Sequence, residues 1–511
     1  MTVNQNHHKT IPAKRIRWSF FFLLALPAGQ LAAQDLTRAN HRYADGSTPL
    51  QWAVYEGNYS EAQALIAAGA DVSEANRYGA TAMSLAAEVG DTRLLGLLLD
   101  AGADVDSANP EGQTALMAVA RTGNLEAAQL LLDQGANVEA REDWGGQTAL
   151  MWASARRHAD MIGLLADYDA DINARSKNRD YPRHVTAEGR PKNLDSGGFT
   201  ALLYAARENC IACVSNLLAR GADINLPDPD GVTALHIAIM NANWDLADAL
   251  IQQGADVNQW DIYGEAPLFT AVRLSARVDG GRASIDAPNV RTGTDIVRQL
   301  LDAGANPNMQ LFFKPANVRG STNTRGTTAL IRAAADGNRA LVELLLEHGA
   351  DPTLYMADWQ TPIHAVLAGR NSEAESLALI ELLYTAGTDI NVMALVNHRQ
   401  EIRGGTALHY AVRKRFSTVI RALASWGVDL DARDQDGLTA LDYTQARGFM
   451  PFMALQTPVY EDEAALLREL GATLESESNP DWPVLGPPQG VWADIWPLGE
   501  PRAHAPIYTH R

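Results

Sequence analysis

The sequence predicts an all-α fold, a solenoid of stacked helix–turn–helix units, on three observations. A threonine-led segment recurs through most of the 511 residues, at an interval of 33 in six of its ten steps and 34 in one. Apolar residues inside each copy fall at helical spacing. A second segment, of the type "LLDAGADV", follows each first one. Such a period marks a repeat architecture, in which each unit buries its apolar face only against its neighbours.

The units follow in order. Thr48 opens "STPLQWAVYEGN", Thr81 "ATAMSLAAEVGD", Thr114 "QTALMAVARTGN", Thr148 "QTALMWASARRH" and Thr200 "FTALLYAARENC". Thr233 opens "VTALHIAIMNAN", and Ala266 takes the threonine place in "EAPLFTAVRLSA". Thr328, Thr361, Thr406 and Thr439 open the last four. Threonine caps the free N–H groups at a helix start. Pro or Ala, then Leu, suit the first turn. The glycine of "GAD" ends the second helix in the left-handed conformation that glycine adopts most readily.

This two-part pattern resembles the ankyrin repeat, with its Gly-x-Thr-Pro-Leu-His start and Gly-Ala-Asp end. About eleven copies run over residues 43–474, within a solenoid expected at 34–474. The resemblance implies helix pairs joined by β-turn fingers, and a binding protein rather than an enzyme. It also implies that contacts come from the fingertips and the exposed side of each first helix. On that basis the partner-binding residues are Arg77, Tyr78, Trp144, Arg156, Arg157, Arg207, Tyr263, Trp359 and Arg413. Arg beside Trp or Tyr is the composition of interface hot spots.

Five segments exceed the period: 174–198, 275–293, 309–326, 392–405 and 447–460. The first, third and fourth extend fingers, whereas 275–293 separates the two helices of its unit. The three finger insertions are basic. They carry Arg179, Arg183, Arg190 and Lys192, then Lys314, Arg319 and Arg325, then Arg399 and Arg403. The chain as a whole has a net charge of −19. An acidic surface repels nucleic acid and anionic membranes, so the basic loops point to a protein partner with an acidic surface. Solvated loops that break up the acidic field are the alternative.

The only two cysteines form a C-x-x-C, Cys210 and Cys213, at the start of a second helix. A helix N-terminus lowers a thiol pKa, so a thiol or redox accessory role is one reading. A short local disulfide is the other, and the helical context favours it, since a thioredoxin-like site wants a βαβ unit. Zinc would need a second pair of ligands. No catalytic or phosphate-binding motif of the common kinds occurs, so no catalytic residue, metal or cofactor is expected. His236, His364 and His409 occupy the repeat's own histidine place, and His348 lies at a helix C-terminus.

The two ends differ from the repeats. Residues 1–33 read as a secretory signal: Lys9, Lys14, Arg15 and Arg17, then an apolar run, then small residues ending near Ala33. A retained membrane anchor is the alternative, though the run is short for a span. Residues 475–511 form a tail with seven prolines and with Trp482, Trp492 and Trp496, expected to dock on the last repeats or on a partner. The sequence thus points to a monomeric, non-enzymatic scaffold, exported to a bacterial periplasm or secreted, with no membrane association beyond the signal.

Overall fold

The structure, a computed structural model, describes residues 39–178, 197–275, 289–311, 325–395, 404–435, 437–444 and 460–473. These residues belong to two compact units, one ending at Ser107 and the other beginning at Ala108. The first unit holds α1 (Pro49–Tyr55), α2 (Tyr59–Ala67), α3 (Ala82–Val89) and α4 (Thr92–Asp100). There α1 packs on α3 and α2 on α4, and each helix also packs on its pair mate. Leu50, Val54, Leu65, Met83, Leu94, Leu95 and Leu98 fill the space between them.

The second unit continues the pattern with α5 (Ala115–Thr122) and α6 (Leu125–Asp133), α7 (Ala149–Ala155) and α8 (Ala159–Asp167), and α9 (Ala201–Arg207) and α10 (Ile211–Ala219). Then come α11 (Ala234–Met240) and α12 (Trp244–Gln252), α13 (Pro267–Ser275) and α14 (Gly293–Asp302), and α15 (Ala329–Ala335) and α16 (Arg339–Glu347). The last are α17 (Pro362–Ala368) and α18 (Glu373–Thr385), α19 (Ala407–Lys414) and α20 (Ser417–Ser425), and α21 (Ala440–Thr444) and α22 (Glu461–Leu470). Consecutive first helices of this unit pack side by side in one row. Among the described residues no regular strand forms, and bridges such as Asn178 with Gly197 and Ala394 with Gly405 close the bases of two finger insertions.

Local chemistry explains the helix boundaries. Thr114 has an extended backbone, and its hydroxyl accepts from the Met117 N–H, which occupies one orphan donor of the first turn. Thr48, Thr81, Thr148, Thr200, Thr233 and Thr328 do the same. Second helices start on Asn58, Asp91, Asn124 and Asn338, whose side chains cap in the same way. After the second helix the chain turns through a left-handed residue, usually glycine; Asp169, with φ +61°, replaces it once. The next Asp or Asn then folds back onto the backbone two residues on, as Asp223 does to Asn225 at 2.9 Å.

Candidate protein-binding surface

The finger turns share one design. In the turn before α3, the Asn76 side chain accepts from the N–H groups of Tyr78 and Ala80 at 2.9 and 3.0 Å. Asn109, Asp228 and Asp261 repeat this with the residues two and four further on. Neighbouring fingers are tied by one backbone bond each: Arg77 N–H to Asp45 O, Ile262 N–H to Asp230 O and Ala357 N–H to Arg325 O. The turn at 142–147 departs from the pattern. It is one residue longer, and a glutamate stands in the Asn or Asp place. The buried Glu142 carboxylate accepts from Trp144, Gly145 and Gln147 at 2.7–2.9 Å. The extra residue is Trp144, and it is 72% exposed.

The proposed tip residues are not equivalent. Arg77 is exposed, and Tyr78 is 75% exposed. Tyr263 and Trp359 are half-buried. Trp359 also has φ +60° and stands where sister turns place Gly79, Gly112, Gly231 and Gly264. Of the basic residues in the finger insertions, Arg175, Lys177 and Arg325 are described; Arg175 and Arg325 are half-buried and Lys177 is exposed. Arg179, Arg183, Arg190, Lys192, Lys314, Arg319, Arg399 and Arg403 lie outside the described residues, as do residues 1–38 and 474–511.

The first helices carry arginine on aromatic rings. Arg207, on α9, sits 5.0 Å from the Tyr204 ring centroid and 6.0 Å from that of Phe199. Arg413, on α19, lies 5.9 Å from the ring of Tyr443 on α21. Such stacking holds a long cation in place, and Arg207 Nε also donates to the Glu208 carboxylate at 3.0 Å. Helix α7 ends at Ala155, so Arg156 and Arg157 stand on the turn to α8 rather than on the first helix, and both are exposed. In the first unit an aromatic run sits on and before α1: Tyr43 meets Trp52 and Trp52 meets Tyr55, edge to face, at 45%, 42% and 61% exposure. The partner-binding residues expected from the sequence do not include this run. The signal was available, since Trp52 occupies the same place relative to Thr48 as Tyr204 does to Thr200.

The buried titratable groups and the cysteines sit inside the repeats. His236 is buried; its Nδ1 lies 3.3 Å from the Thr233 N–H and its Nε2 3.1 Å from Glu265 O. Burial pushes its pKa, and that of His364, down to about 4, against smaller opposing contributions from backbone carbonyls. The imidazole is thus neutral, with Nδ1 accepting and Nε2–H donating. Asp261 goes the other way, to about 7, first through burial and then through Glu265 and Asp230 nearby. Cys210 and Cys213 are joined by a disulfide, with Cys210 as the N-cap of α10 and Cys213 three residues on. They are 5% and 0% exposed. No group of side chains able to hold a metal occurs among the described residues, and none of their helices is long and apolar enough to cross a membrane.

Stacked helix pairs with threonine caps and linked fingers define an all-α repeat protein of the solenoid class. Ankyrin-repeat family models match residues 21–109, 83–176, 202–279, 289–394 and 403–435, and the chain belongs to the ankyrin-repeat family. It is 25% identical over 354 residues to the E3 ubiquitin-protein ligase KEG of Arabidopsis thaliana, covering 59% of this chain and 20% of that protein. It is 33% identical over 232 residues to the nuclear factor NF-kappa-B p105 subunit of Gallus gallus, covering 45% of this chain and 20% of that one. The chain therefore spans about a fifth of the length of each. The crystal structure of the ankyrin repeat domain of Bcl-3 is 27% identical and covers 50% of this chain and 99% of its own, with a TM-score of 0.39.

Proposed function

We propose that this chain is a non-enzymatic scaffold of eleven ankyrin repeats, monomeric and exported, that holds a protein partner with an acidic surface. Ankyrin repeats serve as protein-interaction modules, and the fold leaves the first helices and fingers available for that use. The observation that carries the reading is the concentration of arginine and aromatic side chains there, on a chain of net charge −19. Rigid anchors of this kind bind without a large ordering penalty, and charge complementarity selects the partner. The export proposal, periplasmic or secreted, rests on the basic, apolar and small-residue order of residues 9–33.

The thiol alternative needs access for a second disulfide, and Cys210 at 5% exposure provides little. Affinity capture tests the scaffold. The chain from residue 34 is the bait, on the exported fraction of the source cell. A parallel bait has the finger insertions trimmed to the 33-residue period. One protein held by the intact bait and lost with the trimmed one would assign recognition to the insertions. The same protein on both baits would assign it to the first helices and tips. A bait that holds nothing would count against a binding scaffold.

A further inference from the structure

Where the C-terminal ends of neighbouring second helices meet, the chemistry changes along the chain. In three of the middle repeats it is polar. The residue just before the left-handed position bonds an aspartate of the preceding repeat: Tyr168 to Asp133, Arg220 to Asp167 at 3.2 Å and His348 to Asp302 at 3.2 Å. Toward the C-terminus the same place turns aromatic. Trp426, which follows α20, stacks on Tyr384 of α18 with ring centroids 4.6 Å apart and planes 10° from parallel. The Tyr384 hydroxyl lies 3.5 Å from Trp426 O. Leu470 takes the corresponding place in the last repeat, one residue before the left-handed Gly471. All three side chains are half-buried, so each keeps an apolar portion exposed.

The chain leaves the last repeat beside this strip. Thr473 donates from its N–H and from its hydroxyl to the Asp431 carboxylate, both at 2.8 Å. Asp431 stands five residues after Trp426, a span of at most about 18 Å. Trp482 comes nine residues after Thr473, a reach of up to about 30 Å. The strip is therefore within range of the segment that starts there.

That segment also has the matching chemistry. Trp482, Trp492 and Trp496 fall among the seven prolines of residues 475–511, and Asp494 is the only charge between 482 and 499. Proline-rich chain is already extended, and it packs on aromatic side chains at little entropic cost. Exposed Glu381, Asp389 and Asp429 stand close to the two rings in sequence, so an acidic occupant would be repelled. Residues 482–499 are nearly neutral, and Arg502 and Arg511 follow them against one acid, Glu500. The acids before them, Glu475, Glu477 and Asp481, fall in the connecting stretch. A short tether also holds the segment at an effective concentration on the order of millimolar, which favours it over a free competitor.

We infer that Tyr384, Trp426 and Leu470 form the docking surface for this chain's own C-terminal segment, residues 482–499, which crosses the C-terminal ends of α18, α20 and α22. Docked there, the segment covers the last apolar side chains of the stack, whose ends need covering. This docking is independent of the scaffold reading.

The test uses the full chain labelled with 5-fluorotryptophan. Loss of one fluorine resonance in each of Trp426→Phe, Trp482→Phe, Trp492→Phe and Trp496→Phe assigns the signals. A synthetic peptide of residues 474–511, labelled in the same way, gives the shifts of the free segment. In the full chain the tail resonances are expected away from the peptide values. Trp426→Gln restores the residue that Gln134 and Gln253 supply at this place, and it should return them to those values. Because Cys210 and Cys213 are joined and no other cysteine exists, Gly490→Cys adds the only free thiol. A nitroxide on that thiol is expected to broaden the Trp426 resonance, and to leave it sharp when nitroxide and fluorine are on separate copies. Tail resonances at the peptide values in the full chain, or a Trp426 resonance that the nitroxide does not broaden, would overturn the inference. Broadening between separate copies would overturn it in favour of a second copy of the chain. Tail resonances unchanged by Trp426→Gln would overturn this surface and place the segment elsewhere.

Discussion

At the scale of the residue, repeats provide internal controls. Asn76, Asn109, Asp228 and Asp261 perform one task, accepting two backbone N–H bonds in a finger turn, yet two are neutral and two are carboxylates. At Asp261 the charge is a liability: burial, with Glu265 and Asp230 nearby, raises its pKa to about 7. Because the folded value lies above the unfolded one, the contribution of this group is full below about pH 4 and is lost as pH rises through about 7. Asp261→Asn keeps the accepting oxygen and removes the charge. It is expected to raise the Tm more at pH 8 than at pH 5, and to change it little below about pH 4; equal shifts at pH 8 and pH 5 in thermal melts would refute the electrostatic account. Backbone strain is distributed in the same legible way. Ala242, with φ +55°, and Trp359, with φ +60°, occupy left-handed positions where sister repeats use glycine, at about 1–2 kcal/mol each.

At the scale of the element, the first-helix N-cap recurs in two chemical forms. In the first repeat Gln51 Oε1 accepts from the Thr48 N–H, and Nε2 donates to Glu74 O and Ala80 O. In later repeats His236 and His364 make the equivalent bonds, to Thr233 and Glu265 O and to Thr361 and Gly405 O. Their folded pKa values of about 4 lie below the ordinary 6.5, so the native state binds fewer protons than the unfolded chain between them. The stability they contribute is present above pH 6.5 and is lost as pH falls towards 4, at about 1.4 kcal/mol per pKa unit for each. Wild type should therefore lose Tm steeply in that window, and the double variant His236→Gln with His364→Gln should lose less. Parallel pH profiles of the two proteins would refute it. A second recurring element escaped sequence reasoning. Asn173, Asn225, Asn258 and Asn308 each accept the backbone N–H that opens the next repeat's finger, at 2.7–2.8 Å. They stand at a fixed place, four residues after the left-handed residue that ends each second helix, but an asparagine recurring in a turn has a local explanation, and only the stacked fingers show the bond between repeats.

At the scale of the whole molecule, the net charge of −19 opposes compaction by self-repulsion. Ion pairs such as Arg421 with Glu469 and Arg339 with Glu343 are largely exposed, and exposed pairs are worth about 0–1 kcal/mol. Screening should thus help more than it harms. Raising NaCl from about 10 mM to about 150 mM is expected to raise the Tm by a few degrees. A lower Tm would show that the ion pairs outweigh the repulsion. Stacked repeats also answer to their neighbours alone, so substitutions in one finger should leave distant repeats unchanged.

The sequence by itself determined the all-α repeat class, the helix starts at the threonines, the turn glycines and the set of units, because each depends on residues a few positions apart and repeats often enough to be seen. It also marked Trp144, but as one tip aromatic among several. The tertiary structure decided the rest. It separated the exposed rings of Tyr78 and Trp144 from the half-buried Tyr263 and Trp359. It moved Arg156 and Arg157 from a helix to a turn. It also showed why Glu142 and Trp144 occur together, since the length of a turn and the reach of its anchoring side chain become commensurable only when the neighbouring fingers hold both ends in register.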